Sequence, residues 1–424
     1  MIRTKRKVWL VAFTLAAFSI AVSFVPRIVG HAAAADGAYT GKYPVFEPDT
    51  SWPQLPNNWV VGNVSKVVVD KHDNVWFIHR PRTVPAGKTA APPVVELDKD
   101  GKFVQAWGGE GAGYDWPDSE HNIFVDSKDN VWISGSSPGG QSKTPRSDDM
   151  IIKFTNSGQF IKQLGGRNMT MGDQDTKAVN KPGDLYVSAK TNELYVADGY
   201  GNRRVIVFDA DTLAFKRMWG AFGKPPVDGP NDGGRGPSGG PAIVPGGPRA
   251  AGEGANASRD TEGEGSPTFA SPVHGVMVSN DNLVYVSDRD NRRIQVFTPD
   301  GKYLKQLFIN RAGKSPETVS GIALSPDKQQ EFLYLSDYGN SHIVVVARKS
   351  LDILYQFGMR GAEPGNFQGA HHIAVDSKGN LYVAEVAPGA RVDKFTLKGM
   401  SATPPPNALS PADLAGKPTT SQAQ

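Results

Sequence analysis

The chain has 424 residues, with 46 Lys and Arg against 43 Asp and Glu and a formal charge of +3. Five basic and no acidic residues fall in 1–35, so the remainder holds 41 basic against 43 acidic, about −2, which argues against nucleic acid or an anionic membrane as a partner. No cysteine is present, which excludes disulfides and thiol chemistry and leaves stability to a hydrophobic core.

The chain opens with Arg3, Lys5, Arg6 and Lys7, an apolar run over 8–25 and a small-residue stretch ending at Ala35. That order predicts a secretory signal peptide over 1–35, cut near Ala34 or Ala35. The apolar run is also close to membrane-spanning length, which leaves an uncleaved anchor as the alternative. Either form delivers the chain outside the cytoplasm, secreted or periplasmic, and cleavage leaves no stable membrane partner.

Six repeats follow, starting at 65, 121, 183, 274, 320 and 371. Each has a short apolar strand, a polar turn with Asp, Asn or Gly, and a second strand, as in HNIFVDSKDNVWISG from His121. Third strands are predicted at 204–208, 293–297, 343–346 and 391–395, and fourth strands at 103–107, 160–164, 215–219, 303–308 and 353–357. Four antiparallel strands repeated six times with no helical pattern between them predict an all-β, six-bladed propeller over 63–398. The gap of 91 residues before His274 contains a Gly/Pro-rich stretch, 223–266, which reads as an inserted loop and not a seventh blade. The last repeat lacks an outer strand unless the lead-in 36–62 supplies one from about 43 onward and closes the ring. Residues 399–424 read as a disordered tail.

The first position of the repeats reads Ser65, His121, Gly183, His274, Ser320 and His371, with histidine in every second blade. Alternate blades of a sixfold disc are related by about 120°, so three imidazoles would converge on one point at the tunnel mouth. Three histidines with a position left open are the donor set of a catalytic Zn²⁺ site. Strand alternation predicts that His372 points away from its neighbour. His72, His79 and His342 have no expected ligand role. Loops after the second strands bring Arg80, Tyr200 and Arg289 to the same face. An arginine fork suits a substrate carboxylate, and a tyrosine near a dication can act as a base. Arg204 and Arg293, at the start of third strands, are expected to brace blades.

These motifs resemble the catalytic domain of peptidyl-α-hydroxyglycine α-amidating lyase, a six-bladed propeller of NHL-repeat type. The resemblance covers about 63–397: GNVSKVVVDK with FIHR in the first blade, VADGYGNRR at 196–204, PVH at 272–274 and DRDNRRIQVF at 288–297. It implies Zn²⁺ on His121, His274 and His371, Tyr200 and the arginines Arg80 and Arg289 as catalytic residues, and a small-molecule or peptide substrate bearing a carboxylate. A methionine and an aspartate that flank the family's third histidine are replaced here by Gly369 and His372, so a structural Ca²⁺ is not expected at that position. The implied reaction cleaves a carbinolamide to an amide and glyoxylate, and the chain is expected to act as a monomer. Two other readings stay open: a lactonase-like metal-dependent hydrolase, and a non-enzymatic binding propeller whose histidines only line the tunnel.

Overall fold

The computed structural model describes residues 41–139, 142–226, 263–311, 313, 315 and 317–409. The expected signal segment, most of the insertion (227–262) and the end of the tail (410–424) lie outside those residues.

Period-two apolar segments separated by Asx turns give six four-stranded antiparallel sheets, and the protein is a six-bladed β-propeller. The innermost strands are Asn63–Val69, Glu120–Val125, Asp184–Ser188, Val273–Val278, Val319–Leu324 and Ala370–Val375. Among the described residues the helical segments are three single 3₁₀ turns.

The V-D-x-x-x-N pattern has a direct explanation. Asp126 Oδ1 accepts from the backbone N–H groups of Lys128 and Asn130 at 2.8 and 3.0 Å, and Oδ2 accepts the indole N–H of Trp132 at 2.8 Å. Asp70 does the same for His72, Asn74 and Trp76, and Asp376 for Lys378, Asn380 and the Tyr382 hydroxyl. One carboxylate thus closes the turn and anchors the aromatic residue of the second strand.

The core lies between blades. Trp76 and Ile78 of blade 1 pack with Trp116, Ile123, Ile133 and Phe154 of blade 2, and comparable clusters fill the other interfaces. Ring closure comes from the N-terminal side. Tyr43–Pro48 pairs antiparallel with Arg391–Ser401, from Tyr43 opposite Ser401 to Pro48 opposite Phe395, and supplies the outer strand of blade 6. Phe46 of that strand is buried against Phe357, Phe395 and Phe367. Residues 399–409, expected to belong to a tail, are ordered against the propeller. Residues 399–401 continue the paired strand, Ala408 packs on the same cluster, and Leu409 N–H donates to Gln356 O at 2.8 Å. Apolar Leu397 and Ala408 find burial there, which composition alone did not reveal.

The two arginines at the start of third strands brace their blades. Arg204 is fully buried, bonds Asp198 at 2.9 Å and donates to the carbonyls of Asp173, Asp175 and Ala178 in the preceding loop. Arg293 repeats this with Asp288 at 2.7 Å and with Ser266 and Thr268. These loops run over the face that carries the histidines.

Candidate functional site

In five innermost strands the pairing slips by one residue where the repeats begin: between Val64 and Lys66, Glu120 and Asn122, Val273 and Gly275, Val319 and Gly321, and Ala370 and His372. The residue left unpaired is Ser65, His121, His274, Ser320 or His371. A β-bulge re-aims a side chain, and here it turns the bulged residue out of the sheet toward the axis. His121, His274 and His371 thereby meet, with ring centroids 5.4, 5.1 and 4.7 Å apart. Each offers one nitrogen, and the three nitrogens lie within 4.8 Å of one another.

Blade 3 departs from the pattern for a steric reason. A Cβ at Gly183 would lie 2.5 Å from Val273 O, and one at Gly199 would lie 2.0 Å from the same oxygen. The backbone of blade 4 therefore presses against blade 3, and the functional side chain comes from the next residue, Tyr200.

Neutral imidazoles are what a cation needs, and the surroundings keep them neutral. Burial, the neighbouring imidazoles and Arg80 hold His121 well below the usual histidine range, and burial, His371 and Arg289 do the same to His274. Burial pushes His371 down to about 3, with Arg80 adding to the effect. Nδ1 of His274 lies 2.6 Å from Ser320 O, and Nδ1 of His371 lies 2.6 Å from Ser65 O. A carbonyl can only accept, so each Nδ1 carries the proton and each Nε2 keeps its lone pair toward the axis. The buried Nδ1 of His121 has no protein partner among the described residues. The donor set, its neutrality and its backbone orientation fit a nitrogen-preferring dication such as Zn²⁺.

The Tyr200 hydroxyl stands over this cluster, 2.9 Å from His274 Nε2 and 3.2 Å from His121 Nε2. Arg289 is buried, with Nε 2.8 Å from Asp290, a guanidinium N–H 3.2 Å from Glu317, and its charge 5.9 Å above the Tyr200 ring. The neighbouring carboxylates outweigh burial and raise its pKa. Arg80 donates from Nε to Glu120 O at 3.0 Å; burial and nearby Arg82 push it down to about 10, still cationic at neutral pH. All six residues singled out from the repeats thus surround one place.

His372 corrects an expectation. Its ring centroid lies 4.8 Å from His371, 5.1 Å from His274 and 5.9 Å from His121, so it does not point away. The bulge at His371 breaks the strict alternation on which the expectation rested. His372 belongs to a second ring of the inner strands, with Lys66, Asn122 and Asp184, where Gly275 and Gly321 stand in blades 4 and 5. Within it Lys66 and Asp184 form a buried ion pair, and Asp184 also accepts from Val276 N–H at 3.0 Å. Burial pushes the Asp184 carboxyl up, while Lys66 and two backbone N–H groups pull it back. Lys66, Asp184 and Glu317 escaped the reading of the repeats because their neighbours belong to other blades. His79 accepts from Gly62 N–H at 3.1 Å and contacts Pro92 O at 3.0 Å.

Comparison with known proteins agrees with this architecture. The NHL repeat profile matches residues 273–297, three strands of blade 4. Human NHL repeat-containing protein 3 is 24% identical over 359 residues, covering 83% of this chain and 84% of that protein. A probable peptidyl-alpha-hydroxyglycine alpha-amidating lyase of Caenorhabditis elegans is 21% identical over 359 residues, covering 81% of this chain and 86% of that protein. Peptidyl-glycine alpha-amidating monooxygenase B of Xenopus laevis is 23% identical over 376 residues, covering 83% of this chain but 35% of that protein.

Proposed function

We propose that this NHL-repeat propeller, whose distant relatives include a protein named as a probable peptidyl-alpha-hydroxyglycine alpha-amidating lyase and one named as a peptidyl-glycine alpha-amidating monooxygenase, is itself a metal-dependent carbon–nitrogen lyase. Its substrate is a peptidyl-α-hydroxyglycine-like carbinolamide, and its products are an amide and glyoxylate. The observation that carries the reading is the convergence of three neutral imidazoles under one phenol, with cationic Arg80 and Arg289 close by.

His121, His274 and His371 would hold a Zn²⁺ ion, which when bound supplies Lewis acidity to a substrate oxygen. Arg80 binds the substrate carboxylate and orients the carbinol carbon beneath Tyr200. Tyr200 takes the hydroxyl proton; the C–O bond becomes the aldehyde of glyoxylate as the C–N bond breaks, and the nitrogen takes up a proton to leave a primary amide. Arg289, facing the Tyr200 ring, places positive charge beside the base. The leading segment 1–35 supports export of the chain, with the reaction outside the cytoplasm.

The test pairs elemental analysis of the purified protein with glyoxylate release from N-acyl-α-hydroxyglycine. One equivalent of zinc and turnover abolished by a chelator are expected. Metal-free protein that still releases glyoxylate would sink the reading.

A further inference from the structure

Blade register marks one more position on the histidine face. It is the residue following the partner of the residue before the bulge, or its equivalent in blade 3: Arg80, Ser136, Gly199, Arg289, Tyr338 and Val386 in blades 1 to 6. Two of these are the arginines assigned above, and Gly199 yields its place to Tyr200. Tyr338 is the remaining large side chain of the set. Its backbone N–H donates to Thr318 O at 3.0 Å, as Ser136 does to Ser119 and Val386 to Gly369, so its Cα is fixed in the common frame. Its half-buried ring stands edge-on to His371, with centroids 6.2 Å apart and planes at 84°.

A carbinolamide carbon carries a hydrogen, a hydroxyl, a carboxylate and the amide nitrogen. Arg80 takes the carboxylate on the side of blade 1, and Tyr200 faces the hydroxyl from blade 3. The nitrogen and its acyl group are left the sector beside His371, which blade 5 bounds with Tyr338. We propose that Tyr338 is a specificity-determining residue: its ring walls the path of the acyl group and favours aromatic or large apolar acyl groups over small ones. The inference rests on the lyase reading and adds the substrate class that this site prefers.

The experiment compares N-benzoyl- and N-acetyl-α-hydroxyglycine with wild type, Tyr338→Phe and Tyr338→Ala. For Tyr338→Ala, kcat/KM for the benzoyl substrate should fall roughly tenfold, mostly through KM, with the acetyl substrate within about twofold and bound metal unchanged. Tyr338→Phe should match wild type on both substrates, because the ring face and not the hydroxyl does the selecting. An unchanged benzoyl-to-acetyl ratio in Tyr338→Ala overturns this inference alone. So does a Tyr338→Phe variant that loses both substrates equally, since the hydroxyl would then act at the reacting atoms. No glyoxylate from wild type with either substrate overturns the lyase reading, and this inference with it.

Discussion

Arg80 and Arg289 face the same phenol in opposite electrostatic settings. Arg289 lies between Asp290 and Glu317, which compensate its charge, whereas Arg80 rests on the Glu120 carbonyl beside another cation, Arg82. An incoming carboxylate is drawn to Arg80, because a buried guanidinium presents a planar fork that binds a carboxylate through two N–H groups. Arg80→Ala should therefore raise KM for a carboxylate substrate, while bound metal stays unchanged. Steady-state kinetics would sink this assignment if KM holds and kcat alone falls. Tyr200→Phe removes the ionisable oxygen and keeps the ring, so kcat should drop by roughly 10² to 10⁴ with KM nearly unchanged. Normal turnover in that variant would move the base elsewhere. His121→Ala should abolish bound zinc while circular dichroism and the melting profile stay those of a folded propeller. The blade interfaces, built from other residues, hold the fold.

At the scale of the element, the bulge positions the site and buried ion pairs hold its frame. Lys66 and Asp184 join blades 1 and 3 beneath the imidazoles, each almost fully buried. Removing only the ammonium leaves a buried carboxylate without its partner, so Lys66→Met should destabilise the protein by about 3–5 kcal/mol. The double variant Lys66→Met, Asp184→Leu should recover part of that loss, since it removes the unpaired charge but leaves the buried Val276 N–H without its acceptor. Urea unfolding of the three proteins decides it, and a double variant no better than the single one would refute the pair as an isolated unit. The Arg204–Asp198 pair should recover less, because its arginine satisfies three loop carbonyls that a methionine would orphan.

For the whole molecule, closure by Tyr43–Pro48 joins the first described strand to the last, and Phe46 fills the seam. A chain lacking residues 41–50 should melt at a clearly lower temperature and expose an unpaired edge at Arg391–Ser401. An unchanged melting temperature would show that the seam contributes little. Acid should act through buried histidines. Burial pushes His79 down to about 4, below the ordinary 6.5, so the unfolded chain binds the proton that the folded one refuses. Its contribution is whole above pH 6.5 and is lost as pH falls toward 4, up to about 3 kcal/mol. His79→Gln should flatten part of that slope in stability measured against pH, and an identical slope would place the acid sensitivity in the other histidines.

The repeat pattern determined the propeller, the blade count and the alternation of His121, His274 and His371, because each blade is a local unit whose strands pair with sequence neighbours. The loops after the second strands, together with the resemblance of short motifs, pointed to Tyr200, Arg80 and Arg289. Tertiary structure alone decided the rest. Strand alternation turned His372 away, but the bulge at His371 brings it to the cluster. The partnership of Lys66 with Asp184 spans 118 positions and depends on the circular order of blades. The sequence offered a closing strand from about 43, but its register, Tyr43 opposite Ser401, came only with the folded ring, and the last blade runs past the point where composition suggested a tail. Periodicity reports which side of its own strand a residue occupies. It carries no information about what a different blade, brought round by ring closure, presents to that side.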